Sequence, residues 1–182
     1  MSGVFSVLHV CTGNICRSPM SERILDGLTG DEVFNHGAGT GGWHEGEDMQ
    51  PNSRLELADR GFDPAGHRAR RLGREHIESS DLILVATAGH LEHIADRFPD
   101  AFDRTFLVRQ FGPIAADLAA ELPRGGADLR GRVLVERAAK LRAEYRAPDL
   151  ADPWGMDRGV YGEIADQLVE ALEPVAEALE GH

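Results

Sequence analysis

The chain has 182 residues, a formal net charge of −12, 42% hydrophobic residues and only two cysteines, which is typical of one globular domain with its own core. The acidic balance excludes a general nucleic-acid binder and disfavours docking on an anionic membrane, because both partners need a basic face. No apolar run approaches the ~20 residues of a membrane span, and the N-terminus does not resemble a signal peptide. Two cysteines are too few for a scaffold held together by disulfides. We therefore expect a cytoplasmic protein.

The first predicted elements are a buried strand, a polar loop and a helix. Residues 4–10 form a short apolar and β-branched run, which is typical of a buried strand. A polar loop over residues 11–19 follows at once, and apolar residues then recur every four positions over 20–28, on one face of a helix. Ser18 can cap this helix, and Pro19 suits its first turn, where a missing N–H costs nothing.

Strands and helices alternate along most of the remaining chain. The predicted elements are a short strand at 33–34 that runs into a glycine-rich loop, a helix over 51–60, a buried strand at 82–86, a helix over 91–98, a strand at 105–108 and a long amphipathic helix over 160–179. This alternation predicts an α/β fold whose parallel sheet is covered on both faces. Ligands of such sheets bind at the carboxyl ends of the strands, where the loop over residues 11–19 begins.

Residues 109–150 interrupt this alternation. They contain two predicted helices, at 114–122 and 133–145, joined by a turn at 123–126. The sequence shows no internal repeat and no low-complexity linker. We therefore interpret this segment as a helical insertion within a single domain that spans residues 1–182.

The loop after the first strand combines a thiol, a glycine and an arginine at the start of a helix. Backbone N–H groups at a helix start attract an anion, and the same field favours a nucleophilic thiolate at Cys11. The planar guanidinium of Arg17 matches two oxygens of a phosphate. Gly13 lets the backbone approach a ligand closely, and Asn14 tolerates a left-handed conformation. This pattern predicts a thiol nucleophile that faces a tetrahedral oxyanion.

This loop resembles the phosphate-binding loop of the low-molecular-weight protein tyrosine phosphatases. The family's signature is a cysteine, five residues, an arginine and then serine or threonine, and it matches here from Cys11 to Ser18. The Asp-Pro-Trp segment at 152–154 is similar to the family's C-terminal Asp-Pro-aromatic motif. A bare Cys-x5-Arg spacing is a weak signal, whereas the extended loop, its position and the distant motif together are specific.

Two shorter segments also resemble the family. Residues 37–40, Gly-Ala-Gly-Thr, are followed by Trp43 and resemble its Ser-Ala-Gly-Thr segment and variable-loop aromatic. Residues 66–70 resemble its histidine- and arginine-containing link after the second helix. The resemblance implies a compact three-layer domain with a central, mostly parallel four-stranded sheet and a phosphate-binding loop after strand 1.

The resemblance also implies a catalytic role for three side chains. Cys11 would attack phosphorus and form a phosphocysteine, Arg17 would bind equatorial oxygens, and Asp152 would protonate the leaving phenol and then activate water. The implied phosphate-binding residues are those of the loop: Thr12, Gly13, Asn14, Ile15, Cys16, Arg17 and Ser18. No metal or cofactor is implied, because the arginine and the loop amides supply the positive charge.

Five side chains are implied to support this chemistry. Ser18 would hydrogen-bond to the thiolate and ease its departure, while Asn14 and His67 would hold the shape of the loop. Trp43 and Trp154 would flank the entrance and stack on a substrate ring.

The sequence departs from the family pattern at several positions. Gly37 replaces the family's serine, so one hydroxyl of the network around the loop is missing. Ala86 and Thr87 stand where many members have Met-Asp, and Gly155 replaces the second aromatic found in animal members. The arginines within residues 68–74 either balance the acidic surface or steer anionic substrates.

Three assignments stay open from the sequence. Asp149 competes for the role of general acid. Cys16 is either a small buried side chain or a resolving thiol that traps oxidised Cys11 as a disulfide, as in some family members. His90 and His93 lie one helical turn apart, but no third ligand is evident nearby, so a solvated helix face is favoured over a metal site.

We expect phosphotyrosine in proteins as the substrate, a cognate tyrosine kinase as its source and inorganic phosphate as the product. One alternative is an arsenate reductase assisted by a low-molecular-weight thiol, because the chain lacks the downstream cysteines of thioredoxin-coupled members. Another is a phosphatase for phosphoarginine or small phosphate esters, and a third is a non-catalytic anion-binding module. The phosphoarginine branch of the family carries threonine where this chain has Ile15, whose aliphatic side chain favours a phenyl ring.

Overall fold

A four-stranded sheet forms the centre of the structure, a computed structural model that describes residues 3–146 and 148–182. All neighbouring strands pair in parallel, in the order β2-β1-β3-β4. The strands are β1 (Phe5–Cys11), β2 (Val33–Gly39), β3 (Leu82–Val85) and β4 (Thr105–Leu107). The predicted α/β fold with a four-stranded parallel sheet is therefore confirmed.

Helices cover both faces of this sheet. They are α1 (Arg17–Leu28), α2 (Pro51–Asp59), α3 (Arg74–Glu78), α4 (Ala88–Arg97), α5 (Val108–Leu118), α6 (Ala127–Leu141) and α7 (Arg158–Glu180), with short 3-10 segments at Pro99–Arg104, Ala119–Glu121 and Arg142–Glu144. Within residues 3–146 and 148–182, none of the helices has the length and apolar character needed to cross a membrane.

The side chains of the central strands alternate between two apolar cores. In β1, Phe5 and Val7 enter the core built with α1, α5, α6 and α7, whereas Leu8 and Val10 enter a smaller core with α4. Side chains of a strand point alternately to opposite faces, so a continuous apolar run is needed where both faces are covered. This explains why residues 4–10 lack the polar alternation of a half-exposed strand.

Several element boundaries differ from those predicted. β2 continues from Val33 to Gly39, well past the apolar pair at 33–34, because it pairs with β1 along its whole length. The helix after β4 begins at Val108, so the predicted helix start at 114 was wrong. Helix α6 begins at Ala127 instead of 133, and it runs through Gly131, where a Cβ atom would lie 2.5 Å from the ring of Phe5.

Helix α2 lies where the sequence predicts a helix, and it buries one face. Ser53, Glu56 and Leu57 are buried, whereas Leu55 and Ala58 are exposed. The interpretation of residues 109–150 as an insertion within one domain stays a prediction, although α5 packs closely on α7.

The end of β2 packs tightly against the loop that follows β1. A Cβ atom at Gly39 would lie 2.6 Å from the carbonyl oxygen of Thr12, so only glycine permits this approach. Just beyond it, the Thr40 N–H donates to the Cys11 carbonyl at 2.9 Å, and the Gly41 N–H donates to the Thr12 carbonyl at 2.9 Å. The strand end thus fixes the first residues of the loop.

Candidate active site

Cys11 lies at the carboxyl end of β1, in the middle of the sheet. The chain runs from β1 to β2 on one side, whereas β3 lies on the other side, so the order of strands reverses here. Such reversal points leave a crevice at the strand ends where ligands bind in open α/β sheets. The Cys11 side chain is almost fully buried at the base of the loop that leads to α1.

Ser18 holds the thiol of Cys11 instead of capping α1. The helix begins at Arg17 with Cys16 as its N-cap and no side-chain cap hydrogen bond, so the predicted cap was wrong. Ser18 Oγ lies 3.1 Å from Cys11 Sγ and accepts a hydrogen bond from Asn14 Nδ2 at 2.7 Å. Because Asn14 donates to this oxygen, the hydroxyl proton of Ser18 is free to point at the sulfur, where it stabilises a thiolate.

Asn14 is the residue on which the shape of the loop depends. It adopts φ +57°, a left-handed conformation that asparagine tolerates. Its Oδ1 accepts from the Arg70 N–H at 3.0 Å, and its carbonyl accepts from His67 Nε2 at 2.7 Å. Burial lowers the pKa of His67, which favours the neutral ring that makes this contact. The segment before α3, which carries His67 and Arg70, therefore holds the loop in place through these hydrogen bonds to Asn14.

Glu22 occupies the space left by the missing serine side chain at position 37. A Cβ atom on Gly37 would lie 2.9 Å from Glu22 Oε1 and 3.0 Å from Asn14 Nδ2. Burial raises the pKa of Glu22 to about 7, although Arg23 lies 3.3 Å away. A carboxyl group from α1 thus lies beside the Asn14 amide, where the family pattern predicts a hydroxyl from β2.

Arg17 lines the same pocket as the Cys11 thiol and has one donor without a partner among the described residues. Its Nη1 donates to the Leu150 carbonyl at 2.8 Å, and its Nη2 lies 3.8 Å from Asp152 Oδ2. Its Nε is buried and has no hydrogen-bond partner among the described residues. A buried donor without a partner is costly, so this atom is suited to an oxygen of a bound anion.

The structure separates the two candidate acids. Asp152 faces the loop, with Oδ2 near Arg17 and Oδ1 accepting from the Trp154 N–H at 3.1 Å. Asp149 Oδ1 instead accepts from the Ala88 N–H at 2.8 Å, at the start of α4. Asp149 therefore anchors the segment that carries Asp152, and only Asp152 lines the pocket with the thiol.

A pocket of about 240 Å³ joins these groups. The residues that line it are Cys11, Thr12, Gly13, Ile15, Cys16, Arg17, Trp43, His44, Asp152 and Trp154. Trp43 and Trp154 are highly exposed, with 77% and 58% of their surface accessible, and so stand at its rim. Asn14, Ser18 and His67 are buried outside the lining and support the loop.

His44 is a pocket residue that the sequence analysis missed. Its ring lies against Gly13, where an added Cβ atom would approach it to 3.1 Å, and its Nδ1 lies 2.7 Å from Glu47 Oε2. The loop between β2 and α2 has no periodicity that could have placed this side chain.

His90 is a second missed residue, and its predicted solvated position was wrong. It is 7% exposed, and its Nε2 lies 2.9 Å from the hydroxyl oxygen of Thr12. Its Nδ1 accepts from the Thr87 N–H at 3.2 Å. Helix α4 starts directly after β3, which brings its first turn beside the loop. No group of three or more metal-ligating side chains was found in the described part of the chain.

Cys16 lies beside Tyr161 of α7. Its Sγ is 3.6 Å from the tyrosine hydroxyl, and both cysteines are buried and free. Burial raises the pKa of the Cys16 thiol to about 12, so this sulfur stays protonated at neutral pH. The two thiols of the loop thus differ in their surroundings.

A larger cleft of about 650 Å³ lies away from this pocket. Its lining includes Glu78, Asp81, Asp103, Arg104 and Glu136, and it contains neither cysteine. The smaller pocket is the better candidate because it joins a thiol, a guanidinium and a carboxyl group.

The chain is similar to known proteins over most of its length. The family model described as low molecular weight phosphotyrosine protein phosphatase matches residues 6–128. A protein-arginine-phosphatase of Geobacillus stearothermophilus is 32% identical over 178 residues, which cover 97% of each chain. Low molecular weight protein-tyrosine phosphatase A of Mycobacterium tuberculosis is 32% identical over 178 residues, which cover 94% of this chain and 90% of that protein.

The fold is similar to that of solved structures over the same length. The structure of an arginine phosphatase from Geobacillus stearothermophilus has a TM-score of 0.72 at 28% identity, covering 95% of this chain and 91% of that chain. The family model contains the loop after β1 but ends before Asp152. The longer pairwise matches extend over the segment that carries this residue.

Proposed function

Because the chain belongs to the low molecular weight phosphotyrosine protein phosphatase family, we propose that it hydrolyses phosphotyrosine in proteins through a phosphocysteine on Cys11. The observation that carries this proposal is the single pocket lined by Cys11, Asp152 and Arg17, whose Nε has no partner among the described residues. The three groups supply a nucleophile, an anion clamp and an acid.

In the first step, the thiolate of Cys11 attacks phosphorus. An S–P bond forms while the bond from phosphorus to the phenolic oxygen breaks, and Asp152 gives its proton to that oxygen. Arg17 and the backbone amides of the loop bind the three equatorial oxygens. The buried Nε of Arg17 supports this role, since a phosphoryl oxygen would satisfy it.

In the second step, water removes the phosphoryl group. The Asp152 carboxylate takes a proton from the water, whose oxygen attacks phosphorus, and the S–P bond breaks to give inorganic phosphate and the Cys11 thiolate. The hydroxyl of Ser18 stabilises the departing sulfur, because its oxygen lies 3.1 Å away. Asn14 and His67 hold the loop in the shape that both steps require.

The lining of the pocket favours an aromatic substrate. Trp43 and Trp154 stand exposed at the rim and can stack on a phenyl ring, while Ile15 offers an aliphatic contact within. Phosphoarginine is the second candidate, because a relative over nearly the whole chain is named a protein-arginine-phosphatase. The absence of a hydroxyl at position 15 favours tyrosine over arginine.

The proposed substrate is a protein phosphorylated by a cognate tyrosine kinase, in the cytoplasm, where thiols stay reduced. We further propose that residues 1–182 act as one catalytic domain, with residues 109–150 inserted in it. Oxidation by peroxide would join Cys11 to Cys16 as a reversible disulfide, which is supported by the position of both free thiols in the lining of one pocket.

A panel of substrates tests this proposal. The purified protein would be offered phosphotyrosine, phosphoserine and phosphoarginine peptides and arsenate side by side, with Cys11→Ser as the control. We expect hydrolysis of phosphotyrosine to exceed that of the other peptides. A preference for phosphoarginine, turnover of arsenate with a low-molecular-weight thiol, or phosphate binding without turnover would each favour one of the alternatives.

A further inference from the structure

We propose that Thr12 donates a hydrogen bond from its hydroxyl to the bound phosphoryl group, and that His90 is the positioning residue that directs this hydroxyl into the pocket. The inference rests on the proposed phosphatase site and adds a contact to it. Thr12 follows the nucleophile directly, is exposed and lines the pocket.

The tautomer of His90 follows from its hydrogen bonds. The Thr87 N–H donates to His90 Nδ1 at 3.2 Å, and an N–H can donate only to a nitrogen that carries no proton. The Thr87 hydroxyl oxygen also lies 3.0 Å from Nδ1 and can donate to it. The neutral ring that accepts both of these hydrogen bonds carries its single proton on Nε2, and we assign this tautomer to His90. The ring is neutral at physiological pH because burial and the charge of Arg17 lower its pKa to about 4, against the opposing charges of Asp149 and Asp152.

This tautomer fixes the direction of the Thr12 hydroxyl. His90 Nε2 donates to Thr12 Oγ1 at 2.9 Å, so the oxygen acts as the acceptor in this bond. The hydroxyl keeps one proton to donate, and the described residues include no second partner for it. Because the Thr12 hydroxyl oxygen already accepts from His90, its proton is available to donate to a bound anion.

The fold holds His90 in place for this role. It is the third residue of α4, and its own N–H donates to the hydroxyl oxygen of Thr87 at 3.3 Å, so that ring and backbone form a closed cap at the helix start. Asp149 accepts from the Ala88 N–H in the same turn. The first turn of α4 thus links the general-acid segment to the second residue of the phosphate loop.

Binding of inorganic phosphate, measured by calorimetry on the intact protein, tests the contact without turnover. Thr12→Val removes the hydroxyl, keeps the shape of the side chain and is expected to weaken phosphate binding about tenfold, since a hydrogen bond to a charged group is lost. Thr12→Ser should bind as the wild type does. Phosphate affinity unchanged in Thr12→Val would overturn the inference.

The role of His90 is tested through its coupling to Thr12. His90→Leu should weaken phosphate binding to a similar extent, whereas His90→Gln, which keeps a donor near the Nε2 position, should restore most of the affinity. If His90 acts through Thr12, the double variant Thr12→Val/His90→Leu binds no more weakly than Thr12→Val alone. Additive losses would overturn the positioning role, and His93→Leu on the same helix is the matched control.

These results are separable from those that test the proposed function. Phosphate binding that depends on Thr12 in a protein without phosphatase activity would overturn the proposed function and keep this contact. Full phosphatase activity with a phosphate affinity that does not depend on Thr12 would keep the proposed function and overturn this contact. If His90→Leu does not fold, the comparison of Thr12→Val, Thr12→Ser and His90→Gln still decides the inference.

Discussion

Nη2 of Arg17 lies 3.8 Å from Oδ2 of Asp152, across the gap between the loop after β1 and the segment before α7. The contact joins a buried guanidinium to a half-exposed carboxyl group, and Nη1 of the same guanidinium donates to the Leu150 carbonyl, two residues before Asp152. A phosphoryl group bound by the arginine would therefore place its leaving oxygen on the side where the acid stands.

The general acid is tested by the dependence of rate on the leaving group. We expect Asp152→Ala to slow hydrolysis of phosphotyrosine by roughly 10²–10⁴-fold, because a phenolate needs a proton as it leaves. Esters of very acidic phenols leave unaided and should be slowed much less. The measurement is kcat against the pKa of the leaving phenol.

Asp149→Ala is the matched control for this experiment. Its carboxyl group holds the Ala88 N–H, so its loss should loosen the segment slightly and leave the dependence on leaving group unchanged. If Asp149→Ala steepens that dependence and Asp152→Ala does not, the assignment of the acid is wrong.

Ser18 is predicted to act on the departure of sulfur in the second step. Ser18→Ala removes the hydroxyl that lies 3.1 Å from Cys11 Sγ and should slow hydrolysis of the phosphoenzyme roughly tenfold. A burst of phenol should then precede a slower steady state in rapid-mixing experiments. Ser18→Thr keeps the hydroxyl and serves as the control. An unchanged steady state in Ser18→Ala would argue against this role.

Peroxide is predicted to inactivate the protein reversibly. It oxidises the Cys11 thiolate to a sulfenic acid and is itself reduced to water; the thiol of Cys16 then attacks that sulfur, a second water leaves, and a disulfide forms. Burial raises the pKa of Cys16 to about 12, so Cys11 and not Cys16 is expected to be the first target.

Peptide mapping after mild oxidation checks this prediction. A linked peptide containing both cysteines is expected, and thiol reductants should restore activity. Cys16→Ser should instead go on to an irreversible sulfinic acid at Cys11. If the wild type forms sulfinic acid at Cys11 and no linked peptide, Cys16 is not a resolving thiol and serves only as a buried side chain.

Glu22 is predicted to make stability depend on pH. Burial raises its pKa from 4.5 to about 7, so between these values the folded protein holds a proton that the unfolded chain releases. Its protonated form therefore favours folding at low pH, and this contribution is lost as the pH rises to about 7. The glutamine in Glu22→Gln cannot titrate, so this variant should lack the pH-dependent contribution of Glu22 to stability.

The measurement is the difference in Tm between the wild type and Glu22→Gln from about pH 5 to about pH 8. Relative to the variant, the wild type should become less stable as the pH rises. Other groups near Glu22, namely Arg23, Asp26 and Arg70, are shared by both proteins. A difference that stays constant over this range would contradict the buried, protonated carboxyl group.

The sequence predicted most of the sheet and the loop because both depend on neighbouring residues. Apolar runs defined β1 and β3, and the Cys-x5-Arg spacing placed Cys11 and Arg17 between a strand end and a helix start. The start of α5 was misplaced, because this helix follows directly on Leu107 with no turn residues to mark the boundary.

The missed parts of the site depend on contacts between distant segments. Spacing alone could not choose between Asp149 and Asp152, since the choice follows from an anchor at Ala88. The Glu22 carboxyl group lies where a side chain at position 37 would begin, because a Cβ atom on Gly37 would be 2.9 Å from Glu22 Oε1. For His90 a local signal existed: Thr87 and His90, three residues apart after a buried strand, form a capping pair that faces the carboxyl end of the sheet.

Trapping of the phosphoenzyme tests the central claim most directly. The protein would be mixed with a phosphotyrosine peptide, quenched in acid during turnover and mapped by mass spectrometry, with Cys11→Ser as the control. We predict phosphate on the sulfur of Cys11, and a larger trapped fraction in Ser18→Ala, whose second step is slower. Steady turnover with no phosphate on Cys11, or with phosphate on another residue, would contradict the phosphocysteine mechanism.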